Sequence, residues 1–269
     1  MSRTLAALTS LLAVASAAAV CKPPKSSNNA SIVYTLPTAG SGHELAAPPA
    51  DVKLLKIAVG HGLQNYTCAS STATAVATGA LAVLYDVTGV YPGTVAGLSQ
   101  DEFDSIAHDA LWLASLPLNL VNAAMAQVDA TPSGYTAYDA SLTDPFVANT
   151  PALSLSTITG KAGVPDAPVL GHHFFDHSGI PTFDLFADNG LYGSMSKTDS
   201  TTSTYHSDAG PMGTGSVPWL LLSANANGLS NGVKYVYRVV TAGGTAVSCS
   251  LVQNGTSNVP YTAQYWFYG

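Results

Sequence analysis

The sequence predicts a mainly β domain with one helical insertion, and three observations carry that expectation. Short apolar runs recur from about residue 52 onwards, separated by turns bearing Gly, Asn and Asp. Within VKYVYRVVTAGG, Tyr235, Tyr237 and Val239 share one face and Val236, Arg238 and Val240 the other, which is the two-residue period of a strand. Against this background Ser99-Gln-Asp-Glu102 reads as a capping box. Phe103, Ile106, Ala107, Ala110, Leu111 and Ala114 follow it at helical spacing. The expected architecture is a single β-sandwich or β-barrel-like domain with a helical insertion around residues 99–127.

Taken in order, residues 1–19 read as a cleavable signal peptide. Arg3 supplies the positive start, Leu5 to Val14 the apolar stretch, and Ala15-Ser16-Ala17 or Ala17-Ala18-Ala19 the small-residue cleavage pattern. The apolar run is about ten residues, half of the roughly 20 that span a bilayer. Residues 20–50, rich in Pro, Ser, Asn, Ala and Gly, read as an extended N-terminal arm. Residues 51–269 form the single β-rich domain, interrupted by a helical and loop insertion at about 93–168. KLLKIAVG and GALAVLYDVTG open it as strands, and Gly89 to Gly97 is a loop. The capped helix runs to about Pro117, and LNLVNAAMAQV is expected to continue as a second helix. Residues 129–168 lack a clear period. Strand pattern then returns at PVLGHHFFDHSG, PTFDLFADNG and LYGSMSKTD, and after a loop at 198–215 in VPWLLLSAN, VKYVYRVVTAGG and VPYTAQYWFYG.

The charge content excludes several partners. Only 9% of residues are charged, against about 25% in ordinary domains. The net charge of −7 becomes −8 once Arg3 leaves with the leader. Nucleic acid requires a basic stripe that displaces counterions, and none is present. Arg238 is then the one arginine left, and Glu44 and Glu102 are the only glutamates.

Three cysteines follow the leader. Cys68 and Cys249 each close a strand-like run, whereas Cys21 stands in the Pro/Lys/Ser/Asn tract. In an oxidising compartment the expected pair is Cys68–Cys249 rather than two buried thiols. Cys21 has no assigned partner. Sequons at Asn29, Asn65 and Asn254 are expected N-glycosylation sites, Asn65 the least open because it falls inside a strand.

Motifs that identify a reaction are missing: there is no G-x-S-x-G, H-E-x-x-H, Walker loop or G-x-G-x-x-G. The densest polar cluster is Gly171-His-His-Phe-Phe-Asp-His177. Its residue types suit a metal ion, with His173 and His177 as the candidates. On a strand, however, residues four apart lie roughly 13 Å apart. The favoured role for His172, His173, Asp176 and His177 is therefore ligand lining or structure, and no cofactor is predicted. Arg238 is expected to pair with Asp184 or another buried carboxylate, or to orient an anionic ligand. Trp219 and Trp266, flanked by apolar residues, are expected in the core.

The blocks HGLQNYTC, YPGTVAGLSQDEFDSIAHDALWLASLPLN, LGHHFFDHSGIPTFDL, VPWLLLSA, VYRVVTAGGTA and VPYTAQYWFYG together resemble a secreted family of unknown function. It is common in filamentous fungi and has bacterial relatives. The resemblance spans nearly all of the mature chain and strengthens the Cys68–Cys249 pairing, but it brings no catalytic residues with it. Fungal members frequently carry the name malate dehydrogenase. That activity needs a dinucleotide fold and cationic clamps for a dicarboxylate, and a mature chain with one arginine does not supply them.

The expected function is that of a non-catalytic extracellular or cell-wall binding domain, taking cell-wall glycan, an extracellular small molecule or a host component. The rival is an extracellular metal-dependent or unclassified enzyme using the His172–His177 segment.

Overall fold

The computed structural model describes residues 32–121, 138–252 and 255–269. Eight antiparallel strands follow one another around a closed barrel: β1 (Leu54–Thr67), β2 (Val76–Asp86), β3 (Val169–Phe175), β4 (Pro181–Leu185), β5 (Leu191–Thr201), β6 (Trp219–Ala224), β7 (Tyr235–Gly243) and β8 (Thr256–Tyr268). Each strand pairs with the next, and β8 returns to pair with β1. The barrel alternative is thus the one realised. Helix α1 (Gln100–Leu113) and a short α2 (Leu155–Thr159) lie in the long β2–β3 connection.

Strand alternation sorts the strand side chains into an inner and an outer set. One cluster draws on all eight strands and fills the barrel, with Ala58, Leu84, Phe183, Met195, Val236 and Phe267 among its members. The other lies on the outer face, where Ile57, Val59, Tyr85, Tyr237, Val239 and Trp266 meet α1 and α2. The alternation read from β7 holds up to Val239 and then breaks. Val240 has φ +46° at a register shift before Ala242, and its side chain joins the outer cluster. A β-bulge inserts one residue and turns the strand, which a two-residue period cannot anticipate.

Helix α1 begins as its sequence requires. Ser99 Oγ accepts from Glu102 N–H, and Ser99 N–H donates to Glu102 Oε2 at 2.8 Å. Phe103, Ile106, Ala107, Ala110 and Leu111 are all buried. The helix ends at Leu113, and the expected continuation is not helical where it is described. Leu118 and Leu120 instead bridge in extended form to Phe146 and Ala140; residues 122–137 lie outside the described residues.

Residues 32–50 carry no helix or strand and are laid along the outer face. Tyr34, Leu36 and Leu45 pack on the outer core. Glu44 folds back to accept from the N–H groups of Ala39 and Gly40, and Tyr237 Oη donates to the Ala46 carbonyl.

Two glycines mark where strands approach too closely for a side chain. A Cβ on Gly62 would lie 1.8 Å from the Leu81 carbonyl oxygen, and one on Gly171 1.9 Å from that of Asp184. Cys68 and Cys249 form the expected disulfide, spanning 181 residues. In the chain-entropy picture a loop of that length contributes about 5 kcal/mol. Replacing both cysteines with serine is expected to lower unfolding free energy by about 2–5 kcal/mol, read as a lower urea midpoint.

Candidate functional site

The barrel interior changes character along its axis. At the end where β8 finishes, Phe267, Leu185 and Val233 make it apolar. Toward the disulfide end, the inward positions are Tyr265 and Tyr261 on β8, Gln64 and Tyr66 on β1, His173 on β3 and Arg238 on β7. Tyr265 has room because its ring leans over Gly60, diagonally placed on β1, where a Cβ would lie 2.6 Å from the ring. The Tyr261 and Tyr265 hydroxyls are 2.9 Å apart, and Tyr66 Oη donates to the Gly244 carbonyl at 2.7 Å.

Arg238 sits opposite Tyr265 on β8 and Leu220 on β6, and is 8% exposed. Its Nε and Nη2 both donate to the Pro218 carbonyl, at 3.2 and 2.9 Å. Contrary to expectation it has no carboxylate partner within 4 Å among the described residues. The parity of the strands explains why. Arg238 points inward, while Asp184, opposite His172 across the β3–β4 ladder, lies on the outward-facing set.

His173 lies flat on Phe183, with ring centroids 4.2 Å apart and planes at 6°. Its Nδ1 is 2.8 Å from the Thr182 carbonyl, so this nitrogen carries the proton. Burial pushes its pKa down to about 4, against the pull of that hydrogen bond, and the Arg238 charge adds to the depression. Burial raises the hydroxyl pKa values of Tyr261 and Tyr265, with Arg238 acting against the rise. Gln64 lies beside Tyr261 and is 6% exposed. Its Nε2 is buried and makes no well-formed hydrogen bond, the Tyr261 hydroxyl being the one group near enough to interact with it.

A cavity of about 450 Å³ opens at this end, lined by Tyr66, Thr74, Ala75, Val217, Pro218 and Cys249 among others. Tyr66 belongs both to the cavity wall and to the polar interior, and Pro218 supplies the carbonyl that holds Arg238.

The other sequence candidates lie elsewhere. His172 faces outward and stacks on Phe146 at 3.8 Å; burial lowers its pKa, with Asp184 opposing. Asp176 shapes the β3–β4 turn, its Oδ1 accepting from the N–H groups of Ser178 and Ile180. His177 is exposed in that turn. His173 and His177 are therefore not brought together. Among the described residues no three His, Cys, Asp or Glu side chains form a metal-holding group. His61 is buried on the outer face, placed by register between Val83 and Thr262. Asn65 is half-buried within β1, while Asn29, Asn254, Cys21 and the leader lie outside the described residues.

Sequence reasoning reached His173 and Arg238 but missed Gln64, Tyr66, Tyr261 and Tyr265. The available signal was alternation: Tyr261 and Tyr265 are four apart on one strand and so share a face.

Fold and site together define an eight-stranded antiparallel barrel with a polar half-interior that shares Tyr66 with the wall of a neighbouring cavity. Residues 48–269 match the family described as "Protein of unknown function (DUF3455)", and the chain belongs to it. No curated protein and no solved structure matches the chain.

Burial also pushes the pKa of His61 down to about 4, which makes stability pH-dependent. Well above pH 6.5 both histidines are neutral whether the chain is folded or unfolded. Between about pH 6.5 and 4 the unfolded chain binds two protons that the folded chain refuses, so stability falls as pH falls. The loss is on the order of 3 kcal/mol per histidine by pH 4. Urea unfolding at pH 7 and pH 4.5 is expected to show a smaller difference in His173→Phe than in the parent.

Proposed function

We propose that this protein is a secreted, non-catalytic β-barrel that binds a small extracellular molecule at its disulfide end. The carrying observation is the cavity of about 450 Å³ beside the polar half of the barrel. That size falls in the range of small-molecule sites, which are concave and mostly apolar with a few placed polar groups. Secretion rests on the leader-like start of the sequence and fits the Cys68–Cys249 disulfide, a bond of oxidising compartments. Glycan stacking on Trp219 or Trp266 has no support, since both indoles are buried. The dehydrogenase reading has none either, because an antiparallel barrel offers no parallel βαβ unit to cradle a dinucleotide.

One observation favours surface glycan binding as a second reading. Trp112 at the end of α1 is 51% exposed, and its Nε1 donates to Asp208 Oδ1 at 3.1 Å, which fixes the indole.

A fragment screen followed by amide chemical-shift mapping tests the first reading. Shifts are expected to gather in residues 66–75 and 245–249 and to vanish in Ala75→Trp, which fills the cavity. Shifts scattered over the surface, or unchanged in Ala75→Trp, would refute it. For the second, retention on insoluble wall polysaccharide is expected to be lost in Trp112→Ala while Ala75→Trp retains it.

A further inference from the structure

Resting on the small-ligand reading, we infer that the ligand is a monocarboxylate whose carboxylate is received by Arg238 and Gln64 inside the barrel, its body occupying the cavity beside the disulfide.

Arg238 supplies the only formal charge among the buried residues described in the interior; no acidic side chain belongs to the inner cluster or to the polar group around it. Burying a guanidinium is costly unless an anion or a full set of acceptors compensates it. The compensation in place is partial. The Pro218 carbonyl takes two N–H groups and Tyr265 lies within hydrogen-bonding reach, while a guanidinium has five N–H donors. Gln64 Nε2 is a second buried donor, with no well-formed hydrogen bond and only the Tyr261 hydroxyl close enough to interact with it. Tyr261, which feels both Arg238 and Gln64, links them. The polar half of the barrel therefore has surplus donors and no anion.

Charge balance selects the valence of the missing group. His173 is held neutral, so the interior offers one positive charge, which matches one negative charge. A dicarboxylate, or a phosphate dianion, would bring a second charge with no cation to meet it. A planar carboxylate fits the guanidinium fork with two oxygens and leaves lone pairs for an amide N–H. The cavity specifies the rest of the molecule. Ala73, Ala75, Val217, Pro218, Ala246 and Val247 give it an apolar wall, so the body attached to the carboxylate is small and mainly hydrocarbon.

The test uses the full secreted chain and calorimetric titration with hexanoate, 1-hexanol and succinate. Hexanoate is expected to bind roughly 10- to 100-fold more tightly than 1-hexanol, the span of one charged hydrogen-bonded contact, and succinate more weakly than hexanoate. Arg238→Met keeps the length of the side chain and removes the charge, and it is expected to abolish the preference for hexanoate over hexanol. Gln64→Leu, a second and independent variant, is expected to weaken hexanoate while leaving hexanol unchanged. If wild-type protein binds hexanol as tightly as hexanoate, or Arg238→Met keeps the preference, the carboxylate assignment falls and the small-ligand reading stands. If the mapping on the wild-type chain shows no ligand in the cavity at all, both fall.

Discussion

The pairing of β1 with β8 is the interaction on which everything else in this molecule depends. It runs from Leu54 opposite Tyr268 to Thr67 opposite Thr256, and it joins the two longest strands of the meander. Without it, both would present a row of unpaired backbone groups, a liability that natural sheets otherwise have to blunt or cover. With it, the sheet has an inside. The outer face of this seam is fastened by α1. Thr262 Oγ1 donates to the Ala107 carbonyl, and Gln264 Nε2 donates to that of Phe103. Gln264 also accepts from Trp266 Nε1. Two polar side chains on this face are thus satisfied by the backbone of the helix that covers them.

The same closure gives meaning to a sequence that is poor in charge. Two of the lysines stand next to acids: Lys56 is held by Asp86 and Asp188, and Lys161 by Glu102. These pairs are at least partly exposed and contribute little to stability. Arg238 departs from that pattern by standing inside the barrel on a carbonyl and tyrosine hydroxyls. A low-dielectric interior magnifies both the cost of the isolated charge and the strength of any anion bound beside it. The surrounding residues suit such a place. His173 is kept neutral by burial, and the tyrosines keep their protons, so the guanidinium meets neutral dipoles rather than competing charges.

Much of this architecture was legible in the residues, and the exceptions have physical causes. The capping box at Ser99 and the apolar stripe of α1 are local, so spacing alone was sufficient. The Cys68–Cys249 pair followed from each cysteine ending a strand. Sandwich and barrel could not be separated, because both use the same alternation and differ only in whether β8 meets β1, a contact across nearly the whole chain. The His172–His177 segment drew attention for its density, yet alternation and a turn divide it: one histidine inward, one outward, one in the loop. Arg238 was recognised as singular, but its neighbours come from β1, β3 and β8, far away in sequence. The pairing with Asp184 failed because the two side chains stand on opposite faces of the sheet. Val240 shows the remaining limit, a bulge that shifts parity without leaving a compositional trace.

Lys53 and Gly269 exchange backbone hydrogen bonds in both directions, at 3.0 and 3.1 Å. The barrel's first and last residues are therefore neighbours in the same ladder, and the strand order is cyclic. No hairpin is topologically privileged as the place where the chain must be cut. Joining residue 269 to residue 53 and opening the β4–β5 turn, for instance, would give a circular permutant with the same eight ladders. Because entry into a barrel is controlled at its rims, the two rims are free to diverge. The end where Lys53 and Gly269 meet serves as the stitching edge, and the opposite one is tied by the disulfide.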